Sequence, residues 1–119
     1  MLRNSKPYDL EDRTFEFARR IRAFVKDLPK TISNVEDIKQ LIKASGSVGA
    51  NYIEANEALS KKDFTMRIKI SRKEAKESGY WLRLIGTGDQ AAQEKERQEL
   101  ISEATELMNI FGAILQKTK

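Results

Sequence analysis

At 119 residues, with 34% charged and 39% hydrophobic side chains, the chain can build one domain with a real core and is too apolar for a disordered tail. It has no cysteine and no histidine, which excludes a disulfide framework, the usual zinc sites and histidine-based nucleophilic catalysis. Net charge is +4, no apolar run is long enough to span a bilayer, and MLRNSKPYDLEDR lacks the apolar centre of a signal peptide, so a cytoplasmic protein without membrane attachment is expected.

The first helix is expected over 10–28. Leu10, Thr14, Phe17, Ile21, Phe24 and Leu28 recur at steps of three and four, which keeps them on one face. Phe15, Ala18 and Val25 widen the stripe, and Pro29 stops it because its ring clashes with the preceding turn. A second helix is expected over 34–58, opened by a capping box of Ser33 and Glu36. Its stripe is Ile38, Leu41, Ser45, Val48, Tyr52, Ala55 and Leu59. Gly46 and Gly49 lie mid-helix, where each costs about 1 kcal/mol relative to alanine. The run from Ser45 to Ala50 therefore reads as a close-packing face, with a helix break as the alternative.

The third helix is expected over 61–86, capped by Ser60 with Asp63. Phe64, Ile68, Ser71, Ala75, Ser78, Leu82 and Ile85 repeat as heptads, small in the middle and large at the ends. The second helix has the same profile, so the two should approach closely as an antiparallel pair joined at Ser60. Gly86-Thr87-Gly88-Asp89 reads as a turn, with Asp89 capping a fourth helix over 90–116. That helix carries Leu100, Ala104, Leu107, Phe111 and Ile114, supported by Ile101, Met108 and Leu115. Residues 90–99 are nearly all polar, which predicts first turns that project or fray. No strand pattern competes. The fold expected over 1–119 is a single all-α domain, an antiparallel up-down-up-down four-helix bundle.

Charge is unevenly placed. Residues 61–83 hold eight Lys/Arg and three acids, whereas residues 89–117 hold six acids and three bases. A basic helix attracts phosphate; the alternative is a solvated face that pairs with acidic neighbours. The first candidates for phosphate neutralisation are Arg67, Lys69, Arg72, Lys73, Lys76 and Arg83, followed by Arg19, Arg20 and Arg22 on the first helix. Asn51 with Glu54, and Glu74 with Glu77, are each three apart, so one helical turn brings them together. They form either a polar site that a ligand or neighbouring subunit completes, or an internal network with Arg72, Lys73 and Lys76. Tyr80 and Trp81 point to different faces, and an exposed Trp81 would suit base stacking or, preferably, a subunit interface. A di-iron bundle needs Glu-x-x-His pairs that are absent, and no phosphate loop, metal site or cofactor motif occurs. An enzyme is not expected.

YDLEDRTFEFARRIRAF and then SGSVGANYIEANEALSKKDFTMRIKISRKEAKESGYWLRLI resemble the 23S ribosomal RNA intervening-sequence proteins, from about Tyr8 to Ile85 and more loosely beyond. The distinctive core is Ser-x-Ser-Val/Ile-x-x-Asn-x-x-Glu, here Ser45, Ser47, Val48, Asn51 and Glu54, followed by Asp63-Phe64 and Glu74. Many members carry glycine after that glutamate, where this chain has Ala55. The resemblance implies an up-down four-helix bundle that assembles into a ring-like homopentamer. Some members are encoded inside insertions in ribosomal RNA genes. A related branch, the accessory variability determinant of diversity-generating retroelements, is a basic pentamer that engages a reverse transcriptase and nucleic acid. The family has no established biochemical activity, and its name records gene location. The expectation is a non-enzymatic homo-oligomer, a pentamer, that binds RNA or DNA through basic residues. The alternative is a protein-interaction scaffold, such as a reverse-transcriptase accessory protein, in which the basic third helix docks the acidic fourth helix of a neighbour.

Overall fold

A computed structural model describes residues 9–119. Residues 1–8, counted in the expected domain and read for a signal peptide, lie outside it. The described residues form four helices in chain order: α1 (Leu10–Val25), α2 (Ile32–Asn56), α3 (Lys61–Leu84) and α4 (Ala91–Lys117). Each packs on its neighbours around a square, with α2 against α3 the most extensive seam and α1 against α4 the least. α1 and α3 are diagonal, as are α2 and α4. The all-α antiparallel bundle is as expected.

The heptad positions make the core. Phe17, Ile21, Leu41, Val48, Ile68, Ala75, Leu82, Leu100, Leu107 and Phe111 are at most 1% exposed and belong to one apolar cluster. Ser71, fully buried on α3, donates its hydroxyl to the Val48 carbonyl of α2 at 2.9 Å. A larger residue there would hold the two backbones apart, so the small central layer does bring α2 and α3 together. The glycines of α2 serve a different neighbour. A Cβ on Gly49 would lie 2.8 Å from the Thr14 hydroxyl of α1, and one on Gly46 would lie 3.3 Å from Arg22 Nη2. α2 runs unbroken through both.

Several boundaries differ from expectation. α1 ends at Val25, and Leu28 reaches the core from the turn beyond it. Phe15 does not widen the α1 stripe, because it sits one residue off the core face and is 69% exposed. α2 is capped by Thr31, whose hydroxyl accepts from the Asn34 amide at 3.1 Å, so the Ser33–Glu36 box is not the cap. This choice frees Asn34, which is 3% exposed. Its Nδ2 donates to the Pro29 and Gly86 carbonyls at 2.9 Å each, and its Oδ1 accepts from the Gly86 amide at 2.9 Å. One side chain thus staples the α1–α2 connection to the end of α3. Leu59 falls in the α2–α3 connection and is fully exposed, whereas Ser60 caps α3 at 3.0 Å from the Asp63 amide as expected.

The turn after α3 follows its glycine. Gly88 has φ +66° and a Cβ there would meet Pro29 at 2.8 Å, so both conformation and space require glycine. Asp89 also has φ 64° and does not cap α4; the cap position is Gln90, without a side-chain bond. Nor do the first turns of α4 project. Arg97 donates to the Leu82 and Arg83 carbonyls that end α3, both at 3.3 Å, and forks onto Glu94 at 3.0 and 2.6 Å. Gln93 reaches the Phe24 carbonyl at 3.5 Å. Polar side chains tie this segment down where apolar ones are missing. Arg97 first, then Gln98 and Thr87, lower the Glu94 carboxylate from its ordinary 4.5 to about 2.

Candidate functional site

Because Ile68, Ser71, Ala75, Ser78 and Leu82 face inward, the charged positions of α3 divide between two flanks. Arg67 lies on the flank toward α2. Its Nη1 donates to Asn51 Oδ1 at 3.0 Å, and Asn51 Nδ2 donates to the Ser47 carbonyl at 2.9 Å. These three residues tie α2 to α3. Ser45 is buried and donates to the Ile42 carbonyl at 3.3 Å, while Glu54 is exposed. Glu74 retains 17% side-chain exposure and lies 3.7 Å from Lys73 Nζ. Trp81 is partly buried against the core. Its neighbour Tyr80 is the exposed ring, at 54%, and meets Trp81 edge-on with centroids 5.0 Å apart.

The other flank of α3 borders α4. Lys69, Arg72, Lys73 and Lys76 line a depression of about 530 Å³ whose floor is Met108 and Leu115 of α4. Lys76 and Met108 also line the next depression, of about 240 Å³, which continues past Gly79 to Tyr80 and Arg83. A shallower one of about 800 Å³ at the start of α3 shares Lys69 and adds Lys61, Lys62 and Met66. Shared walls make these a continuous track along α3. No carboxylate lines the first two depressions; Asp63 lines the third. The floor follows from a stripe on α4, Ile101, Thr105, Met108, Gly112 and Leu115, at steps of four and three. Arg72 passes beside Gly112, its guanidinium carbon 3.7 Å from where a Cβ would stand, an ordinary contact distance.

Four acids of α4, Glu96, Glu99, Glu103 and Glu106, lie on its other flank. Arg13 of α1 forks onto Glu103 at 2.8 and 2.9 Å and reaches Glu106 at 2.7 Å, which raises its already high pKa further. Arg20 lies 3.4 Å from Glu96 and 3.5 Å from Glu99. Arg19 pairs with Glu16 on its own helix, and Arg22 donates to the Ala18 carbonyl at 3.0 Å. The sequence-predicted cations therefore fall into three groups. Lys69, Arg72, Lys73, Lys76 and Arg83 share one groove, Arg67 faces α2, and the three arginines of α1 lie on the helix diagonal to α3. Among the described residues no carboxylate lies within 4 Å of Lys69, Arg72, Lys76 or Arg83. Sequence reasoning missed Tyr80, Met108 and Leu115 as groove residues and Arg13 as the main ion-pair partner. The α4 stripe from Ile101 to Leu115, opposite the acidic stripe Glu96, Glu99, Glu103 and Glu106, is the pattern that would have found them. Among the described residues no group of three or more acidic side chains is placed to hold a metal ion, and no helix is long and apolar enough to cross a membrane.

The family model described as "23S rRNA-intervening sequence protein" matches residues 7–113. The structure is similar to that of a protein of unknown function from the S23 ribosomal protein family of Bacteroides thetaiotaomicron, with a TM-score of 0.74 and 28% sequence identity, over 90% of this chain and 98% of that one. No curated protein matches the chain.

Proposed function

The chain belongs to the 23S rRNA-intervening sequence protein family, and from that premise we propose that it is a non-enzymatic, cytoplasmic, homo-oligomeric bundle that binds RNA or DNA through the α3–α4 groove. The observation that carries this reading is the groove wall, with Lys69, Arg72, Lys73 and Lys76 together and no carboxylate among the lining residues. Cations in a row, of which only Lys73 has a carboxylate (Glu74) within 4 Å among the described residues, recruit polyanions and release their condensed counterions, which gives affinity without sequence choice. Assembly as a homopentamer would multiply a modest patch by avidity. Support for assembly comes from Phe15 on α1 and Ile53 on α2, large apolar side chains 69% and 47% exposed.

The same exposed apolar residues favour the second reading, a protein-interaction scaffold that includes the reverse-transcriptase accessory role. Its version with α3 docked on a neighbour's α4 is less well supported, since Glu96, Glu99, Glu103 and Glu106 already meet arginines of α1. The deciding experiment is Arg72→Glu with Lys73→Glu and Lys76→Glu, measured by fluorescence anisotropy on RNA and duplex DNA over a salt series. Affinity should fall about 100-fold or more, and the dependence of log affinity on log salt should flatten by about 0.7–0.9 for each phosphate no longer neutralised. Lys39→Glu with Lys43→Glu on α2 is the charge control and should change little. Unchanged binding by the α3 variant would overturn the assignment. A stable oligomer that ignores all nucleic acid would move the protein to the scaffold class.

A further inference from the structure

We infer that the α3–α4 groove takes a single-stranded nucleic acid in preference to a duplex, with phosphates on the α3 cations and bases turned onto the apolar floor and Tyr80. This rests on the nucleic-acid reading above and adds the form of ligand. A surface that holds only duplex backbone needs cations alone, because the bases are stacked inside and phosphate and sugar are what it meets. Here the cations stand on one wall of a concavity instead. Its floor is Met108 and Leu115, continued by the partly exposed Ile101 in the adjoining depression. A duplex bridging the wall would leave that floor wet. A single strand can turn bases inward and cover it.

Two further observations point the same way. Tyr80 lines the groove beside Arg83 and is 54% exposed, with its ring braced edge-on by the partly buried Trp81. A fixed, accessible ring next to a cation is the arrangement on which bases stack, and every base offers a π-face. Arg72 is exposed and its guanidinium passes beside Gly112 of α4, and a guanidinium plane is itself a stacking surface. From Lys62 to Arg83 the track is about 32 Å long at the helical rise of roughly 1.5 Å per residue, enough for several nucleotides of an extended strand.

The test uses the full chain and mixed-sequence oligonucleotides of about 12 residues, as single-stranded RNA, single-stranded DNA and the matching duplexes, read by fluorescence anisotropy. Single strands should bind about 10-fold or more tightly than duplexes. Tyr80→Ala should weaken single-strand binding by about 10–100-fold and leave duplex binding unchanged, while Tyr80→Phe keeps wild-type affinity. The two single-stranded arms tell whether the 2′-hydroxyl matters. Photo-crosslinking of thiouridine-substituted RNA to the wild-type protein gives a readout independent of folding in the variants, and adducts should map to Tyr80 and to 101–115. Equal affinity for strand and duplex, with Tyr80→Ala neutral and no adduct in those segments, overturns this inference and leaves the nucleic-acid reading standing. Failure of every oligonucleotide to bind removes both.

Discussion

The two flanks of α4 differ in how they treat charge. Toward α1, four glutamates meet Arg13 and Arg20, with the Arg13–Glu103 fork at 2.8 and 2.9 Å as its centre. Toward α3, the facing residues of α4 are Ile101, Met108 and Leu115, and the cations opposite them have no carboxylate in the groove. The net acidity of α4 and the net basicity of α3 suggest that the two neutralise each other. They do not, because a helix presents its charge by flank. What matters is the angular position of Glu96, Glu99, Glu103 and Glu106, which steps by three and four around to α1. One seam uses its charge to hold the bundle, and the other leaves Lys69, Arg72, Lys76 and Arg83 without a carboxylate partner among the described residues.

The largest structural effect should come from breaking what positions α3 against the rest. Asn34→Ala removes three hydrogen bonds, two to Gly86 at the end of α3 and one to Pro29 in the α1–α2 connection. We expect a loss of about 2–3 kcal/mol in thermal or urea unfolding. Because the α3 end also receives Arg97, this variant should loosen the groove and weaken nucleic-acid binding as well. Retention of wild-type stability would show that water replaces the staple.

The next effect sharpens the contrast between the seams directly. Arg13→Ala should cost about 1–2 kcal/mol, since it leaves Glu103, only 18% exposed at its side chain, facing the bundle without its partner; the figure is kept low because Arg13 is 28% exposed and partly screened. Lys76→Ala on the opposite flank should change stability by no more than about 0.5 kcal/mol and should weaken binding. If unfolding shows equal losses for the two, the division between structural and free charge fails.

The core of this arrangement and the close approach of α2 to α3 were legible in the sequence; the partners of the caps, the α2 glycines and the charged flanks were not. Ile68, Ser71, Ala75, Ser78 and Leu82 are buried as their heptad spacing requires, and the small layer of Ser71 against Val48 follows from size alone. Local choices between equivalent residues went the other way. Thr31 and Ser33 are both good caps, and the decision fell to the burial of Asn34, whose partner Gly86 is 52 residues away in sequence. The glycines of α2 signal a close neighbour without naming it, and Gly49 turned out to face Thr14 of α1. At the site, the basic stripe of α3 could be read, but Arg67 could not be separated from Lys69. Their difference is which neighbouring helix each flank meets. Polar segments mislead for a related reason: the early turns of α4 lack apolar residues yet are held by Arg97, whose partners are backbone carbonyls that carry no trace in the sequence.

Arg97 is the cation of the α3–α4 seam bound to both a carboxylate and backbone carbonyls, and it yields the smallest effect. Its partner Glu94 has a carboxylate lowered to about 2 from an ordinary 4.5, with the Arg97 fork as the main cause. A group whose pKa is depressed on folding binds its proton more readily when unfolded. Its contribution is therefore complete above about pH 4.5 and is lost as pH falls from there toward 2. Thermal unfolding of the wild type and of Glu94→Gln should differ most near neutral pH and converge as pH approaches 2, since the substituted amide does not titrate and the other carboxylates act alike in both proteins. Glu94 is solvent-facing, so the difference should be small and should shrink further with added salt. Glu94 lines none of the three depressions along α3, so Glu94→Gln should bind nucleic acid as the wild type does. If instead Glu94→Gln binds more weakly than the wild type, the end of α4 is part of the groove mechanism, and the clean division between the two flanks ends at Arg97.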